Sequence, residues 1–192
     1  MEKSCYNQPM LSRDFQKRIE TDTVAAARAL LGMQLILNGQ KLGRIVETEA
    51  YLGSQDSACH SAGGRRSTKN ESMYLPAGHW YVYQIYGYQM LNLVTKAENV
   101  AEAVLIRALG LPDGRLLANG PGKLTKYAGI DKRFDGQSLA TSSLQLAHDL
   151  TPNQITSRPR IGVTCTDTWR EDPLGFYVAS NRHVSKMPKR GL

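Results

Sequence analysis

Residues 44–52 read R-I-V-E-T-E-A-Y-L, an alternation of apolar and polar positions with a period of two. A strand turns successive side chains to opposite faces, so this period predicts a strand with Glu47, Glu49 and Tyr51 on one side. Val46, Thr48, Ala50 and Leu52 then face the core. Residues 33–37 read as the hairpin partner of this strand, joined at Asn38-Gly39, a pair suited to a tight turn. Ahead of them, Thr21-Asp22-Thr23 offers N-caps for a helix over 24–31 that Gly32 stops. Strands are predicted at 80–85 and 91–95, joined through Gly87, and at 103–109. A short helix follows Asn119-Gly120-Pro121 at 122–128, and a second helix is predicted at 138–146. Strands at 160–165 and 175–179 complete the pattern, with 53–69 a polar, glycine-containing loop. The elements imply an α+β fold: one domain over 1–192, mostly antiparallel β-sheet with flanking helices and a protruding β-hairpin. Residues 1–20 read as a loosely ordered segment and 181–192 as a basic tail.

Composition narrows the partners more than the fold. The 192 residues, 41% hydrophobic and 21% charged, describe an ordinary globular chain long enough for a real core. The formal net charge of +7, from 24 Lys and Arg against 17 Asp and Glu, favours an anionic partner, with nucleic acid ahead of a membrane surface. A basic enzyme without any nucleic-acid role has the same balance. Cys5, Cys59 and Cys165 are odd in number and far apart, which suggests neither a disulfide framework nor a cysteine zinc site. The N-terminus lacks the apolar run of a secretory signal, and no segment is long and apolar enough to span a bilayer. A soluble, intracellular protein is expected.

Several chemistries fail on spacing. The run 120–124, G-P-G-K-L, lacks the first glycine and the terminal hydroxyl of a phosphate loop. His60, His79, His148 and His183 show no metal-ligand spacing, and the zinc-deaminase and G-x-S-x-G patterns are absent. No metal or cofactor is expected.

What remains is a cluster of acid, cation and aromatic side chains. Glu47 and Glu49 share a face, which fits either a solvated strand or a carboxylate site. Tyr81, Tyr83, Tyr86 and Tyr88 crowd one hairpin, either as core aromatics or, for Tyr86 beside Gly87, as a ring pushed out at the tip. Such a ring on a basic protein is what a wedge into stacked bases requires. Arg107 lies in an otherwise apolar run and needs a carboxylate, carbonyls or water as partner. The segment 63–69, G-G-R-R-S-T-K, is a cationic loop suited to phosphates or simply solvated.

Read together, R-I-V-E-T-E-A-Y-L-G, A-x-H-S-x-G-G-R, M-Y-L-P-A-G-H-W-Y-V-Y-Q-I-Y-G, L-N-L-V-T, A-V-L-I-R-A-L, N-G-P-G-K-L and R-P-R-I-G-V closely resemble the 3-methyladenine (alkyladenine) DNA glycosylase family. The match runs from the helix at Val24 to about Val178. The resemblance implies a base-flipping repair enzyme that hydrolyses the N-glycosidic bond of damaged purines in double-stranded DNA, as a monomer. It implies Glu49 as the general base and Arg107 as its companion, with Glu47 in a supporting role. Tyr51, His60 and Tyr83 would wall the base pocket, Asn92 would crowd the exocyclic amino group of guanine, and Tyr86 would intercalate. Arg65, Arg66, Lys69 and Lys123 are candidate backbone contacts. Lys69, Gly110 and Gly175 depart from the family pattern. Two other readings stay open: a catalytically inactive nucleic-acid-binding module of the same fold, and a bifunctional glycosylase/lyase using Lys123.

Overall fold

Asp22 separates the first two helices. Its Oδ1 accepts from the amides of Val24 and Ala25 at 2.8 and 3.0 Å, ending α1 (Arg13–Thr21) and starting α2 (Thr23–Leu30). A cap of this kind is worth ~1 kcal/mol. The structure, a computed structural model, describes residues 13–186. Helix α1 occupies part of the segment expected to be loose; residues 1–12, Cys5 among them, and the end of the basic tail lie outside the described residues.

Among the described residues eight strands form one sheet: β1 (Gln34–Leu37), β2 (Gln40–Tyr51), β3 (Trp80–Ile85), β4 (Tyr88–Thr95), β5 (Glu102–Gly110), β6 (Leu144–Ala147), β7 (Ile155–Arg158) and β8 (Gly175–Val178). All pairs are antiparallel, in the order β3-β4-β5-β2-β1-β6, with β7 on β8 and β8 on β2. The 12-residue β2 is the axis. It pairs with β5 along one edge; along the other it pairs first with β1 and then, at Glu47–Glu49, with β8.

Alternation sorts side chains to the two faces. Trp80, Val82, Leu91, Leu93, Val104, Ile106 and Ala50 join Ala27 and Leu30 of α2 and Leu124 of α3 (Pro121–Ala128) in the main core. Tyr81, Tyr83, Val94, Ala103 and Tyr51 belong to a smaller cluster with Cys59, Met73 and Tyr74. Across β2 and β5 the register runs Ile45↔Leu109, Glu47↔Ala108, Thr48↔Ile106, so Val46 and Arg107 each lack a partner there. These bulges bend the period of two. Ile45 takes the core position expected of Val46, which is buried outside that core beside Gly110.

Two predicted elements are corrected. Residues 138–146 do not form a helix: they turn, then enter β6, where Leu144 and Leu146 are buried in alternation and the strand completes the edge of β1. The strand expected at 160–165 lies earlier, at β7, because Pro159 has no amide to donate and Gly162 is left-handed at φ 79°. No helix of the described residues is long and apolar enough to cross a membrane.

Candidate active site

Four neighbouring strands place the candidate side chains in one row. Tyr81 pairs with Asn92, Asn92 with Leu105, and Leu105 with Glu49. Three strand spacings of ~4.8 Å therefore separate Glu49 from Tyr81, a span of roughly 14–15 Å at the backbone. Tyr51 and Tyr83 lie two residues along from the ends of this row, on the same face.

Glu47 and Glu49 are both 1% exposed, so the solvated-strand reading of this pair is excluded. Arg107, unpaired in the register, reaches back across the sheet to both: Nε to Glu47 Oε1 at 2.9 Å and Nη1 to Glu49 Oε2 at 3.1 Å. The same Glu49 oxygen accepts from the Tyr51 hydroxyl at 3.1 Å, and Oε1 accepts from the amide of Ile161 at 2.6 Å. Glu47 takes four hydrogen bonds: Oε1 accepts from Arg107 Nε, Arg158 Nη2 and the Ser185 hydroxyl, and Oε2 from the Ser185 amide. Burial, and then the Glu49 charge, hold the Tyr51 hydroxyl well above the usual phenol range, so it stays a donor.

In front of this network lies a cavity of about 330 Å³ lined by Tyr51, Cys59, His60, Tyr81, Tyr83, Tyr86, Asn92 and the 162–164 segment, among others. Glu49 itself is not in the lining; the Tyr51 hydroxyl connects it to the cavity. His60 and Tyr83 meet edge to face at 4.4 Å between ring centres, and Tyr81 lies 5.3 Å from Tyr83. His60 Nδ1 and the Tyr81 hydroxyl are 2.8 Å apart. Burial against these rings, with the Arg65 charge second, lowers the His60 pKa below its ordinary 6.5. Burial and the Glu49 charge push the Tyr83 hydroxyl up to about 12. Asn92 is fixed by donating its amide to the carbonyls of Tyr81 and Met90 at 3.0 and 3.2 Å. Among the described residues no group of three or more His, Cys, Asp or Glu is placed to hold a metal ion.

At the mouth, Ile85 pairs with Tyr88 across a two-residue turn in which Tyr86 and Gly87 have φ of 49° and 79°. Both being positive makes this a type I′ turn, in which glycine is at ease and tyrosine is not. Tyr86 is 91% exposed.

The family model described as methylpurine-DNA glycosylase (MPG) matches residues 17–182. Similar relatives, each named "Putative 3-methyladenine DNA glycosylase", occur in Myxococcus xanthus, Lactiplantibacillus plantarum and Bacillus subtilis. The first is 43% identical, covering 88% of this chain and 91% of its own. The second is 39% identical, covering 88% and 90%, and the third 38% identical, covering 83% and 90%. The chain belongs to the methylpurine-DNA glycosylase family. It is thereby a hydrolase of N-glycosyl bonds, a DNA repair glycosylase whose substrate is DNA.

For a DNA glycosylase the surrounding cations matter next. Arg65 lies at the rim shared by the cavity and a second cleft of about 710 Å³, which Lys69, Gln84 and Lys132 also line. Arg66 borders that cleft but is committed within the protein, forked onto Glu71, bonded to Asn99 and lying 4.4 Å from the Tyr74 ring centre. Lys123 lines neither cavity; it is exposed on α3 and donates to Asn119.

Sequence reasoning gave no role to four contributors: Tyr81, Arg158, Arg160 and Ile161. Tyr81 shares a strand face with Tyr83 and lines the cavity with it. Arg158 binds Glu47, Arg160 binds Asp56, and Ile161 binds Glu49, so R-P-R-I-G-V touches every buried acid of the site. The charge alternation of that motif was the available signal, but nothing local says which acids it meets.

Proposed function

We propose that the protein is a monofunctional glycosylase that flips alkylated or otherwise damaged purines out of duplex DNA and hydrolyses the N-glycosidic bond with a water activated by Glu49, initiating base excision repair. The observation that carries this reading is the Glu49 carboxylate, braced by Arg107 directly behind an aromatic cavity and hydrogen-bonded to the hydroxyl of Tyr51, which lines that cavity. Each carboxylate oxygen accepts about two bonds, so Oε1, with the Ile161 amide as its partner, keeps a lone pair for a water proton. General base catalysis is typically worth ~10²–10⁴-fold.

Alkylation at N3 or N7 makes a purine cationic and a ready leaving group, so less help is needed from an acid. Tyr51, Tyr83 and His60 stack on the extruded base, with Tyr81 behind them. A tyrosine face attracts a cationic ring by about 0.5–2 kcal/mol, part of the few kcal/mol that extrusion costs. The lowered pKa of His60 keeps the imidazole neutral at pH 7, so it does not repel that cation. Asn92 crowds the exocyclic amino group of guanine. Tyr86 fills the vacated space, while Arg65, Lys69 and, from the hairpin's flank, Lys123 meet phosphates; the internal pairing of Arg66 leaves it the weakest of the four. No lysine lines the base cavity, which supports hydrolysis over a Schiff-base lyase step. The enzyme acts as a monomer, without metal or cofactor, in the compartment that holds the DNA.

Glu49→Gln tests the reading. It is expected to keep binding duplexes with a damaged purine while single-turnover base release falls by ~10²–10⁴-fold. Unchanged release removes Glu49 from its role.

A further inference from the structure

The side chains of Arg160 and Asp56 are both fully buried, and the guanidinium fork meets both carboxylate oxygens at 2.5 and 2.8 Å. Arg160 Nη1 also donates, at 3.1 Å, to the carbonyl of Ala50, the residue between Glu49 and Tyr51 on β2. The guanidinium carbon lies 4.7 Å from the centre of the Tyr51 ring. Tyr51 lines the cavity and Arg160 does not, so the cation backs the ring from within the protein. The next residue, Ile161, gives its amide to Glu49 Oε1. Asp56 in turn accepts from the amides of Leu52 and Ala58, each at 3.0 Å, which shapes the turn leading to Cys59 and His60.

We propose that Arg160 is a positioning residue for glycosidic cleavage: locked by Asp56, it fixes the Tyr51 ring from behind and, through the amide of Ile161, the direction of the Glu49 carboxylate. The proposal rests on the reading of Glu49 as the general base. Stability alone is a poor reason for such a pair, since apolar replacement of buried ion pairs is often neutral or better. The guanidinium also leaves its Nε buried without a hydrogen-bond partner among the described residues, a cost accepted in this orientation. A planar fork can serve a carboxylate, a carbonyl and a ring together, whereas a lysine ammonium cannot.

Arg160→Lys keeps the charge and loses the fork. On duplex DNA methylated with dimethyl sulfate, its single-turnover release of methylated purines is expected to fall at least tenfold, towards the ~10²-fold cost of a 1 Å misplacement. Affinity for a duplex carrying an abasic analogue, which has no base to fill the cavity, stays within twofold. Asp56→Asn, which retains an acceptor, gives the same pattern with smaller amplitude and carries the test if Arg160→Lys does not fold. Release within twofold of wild type overturns the proposal, as does a loss of release matched by an equal loss of abasic affinity. Glu49→Gln run alongside separates the two readings: full activity there sinks the catalytic assignment, whereas an inactive Glu49→Gln beside a fast Arg160→Lys removes Arg160 alone.

Discussion

Replacing Tyr86 by asparagine should make the protein more stable and a poorer DNA binder at once. Tyr86 holds φ at 49° in a type I′ turn, a left-handed conformation that costs an ordinary L-residue ~1–2 kcal/mol and costs asparagine much less. With the residue 91% exposed, removal of its ring forfeits little packing, within the ~0.5 kcal/mol usual for surface changes. The net gain is about 1 kcal/mol, or a melting temperature higher by roughly 2–4 °C for a chain of this length. Loss of base stacking costs ~1–3 kcal/mol, which weakens binding to a duplex with an abasic analogue by roughly 5- to 150-fold. Thermal denaturation and fluorescence anisotropy measure the two effects separately. A Tyr86→Asn protein that melts at or below the wild type refutes the strain argument. One that binds the abasic duplex as tightly as wild type refutes the wedge.

Glu47→Gln should act on stability. It leaves the buried guanidinium of Arg107 and the half-buried one of Arg158 short of an anion, a loss of ~3–5 kcal/mol, and lowers the melting temperature by roughly 6–20 °C; a drop under ~2 °C contradicts the structural role. His60 gives a pH signature. Because its folded pKa lies below its unfolded value, the unfolded chain takes up the proton first, so the stability it contributes is complete above ~6.5 and is lost as pH falls below that. Wild type should therefore lose melting temperature relative to His60→Gln between pH 7.5 and pH 5, and parallel curves would show that His60 titrates normally.

The sequence exposed the sheet where its period held. Residues 44–52, 80–85 and 103–109 alternate or run apolar strongly enough to announce strands, and the Asp22 cap and Pro121 mark helix starts on local chemistry alone. It misled at 138–146, whose serines and leucines fit a helix as well as a turn and strand until β1 presents an edge to be paired. Arg160 misled similarly: its pull into Asp56, beside Pro159 and Gly162, takes 160–165 out of the sheet.

Composition and motifs determined the family, the hairpin and the residue types of the site, because those are properties of neighbours in the chain. Tertiary structure alone decided that Arg107 bridges Glu47 and Glu49, that Arg158 and Arg160 close on Glu47 and Asp56 more than 100 positions away, and that Glu49 stands behind Tyr51 instead of at the cavity surface. Buried charges take whichever counter-charge the packed sheet brings within ~3 Å, and no period along the chain encodes that distance.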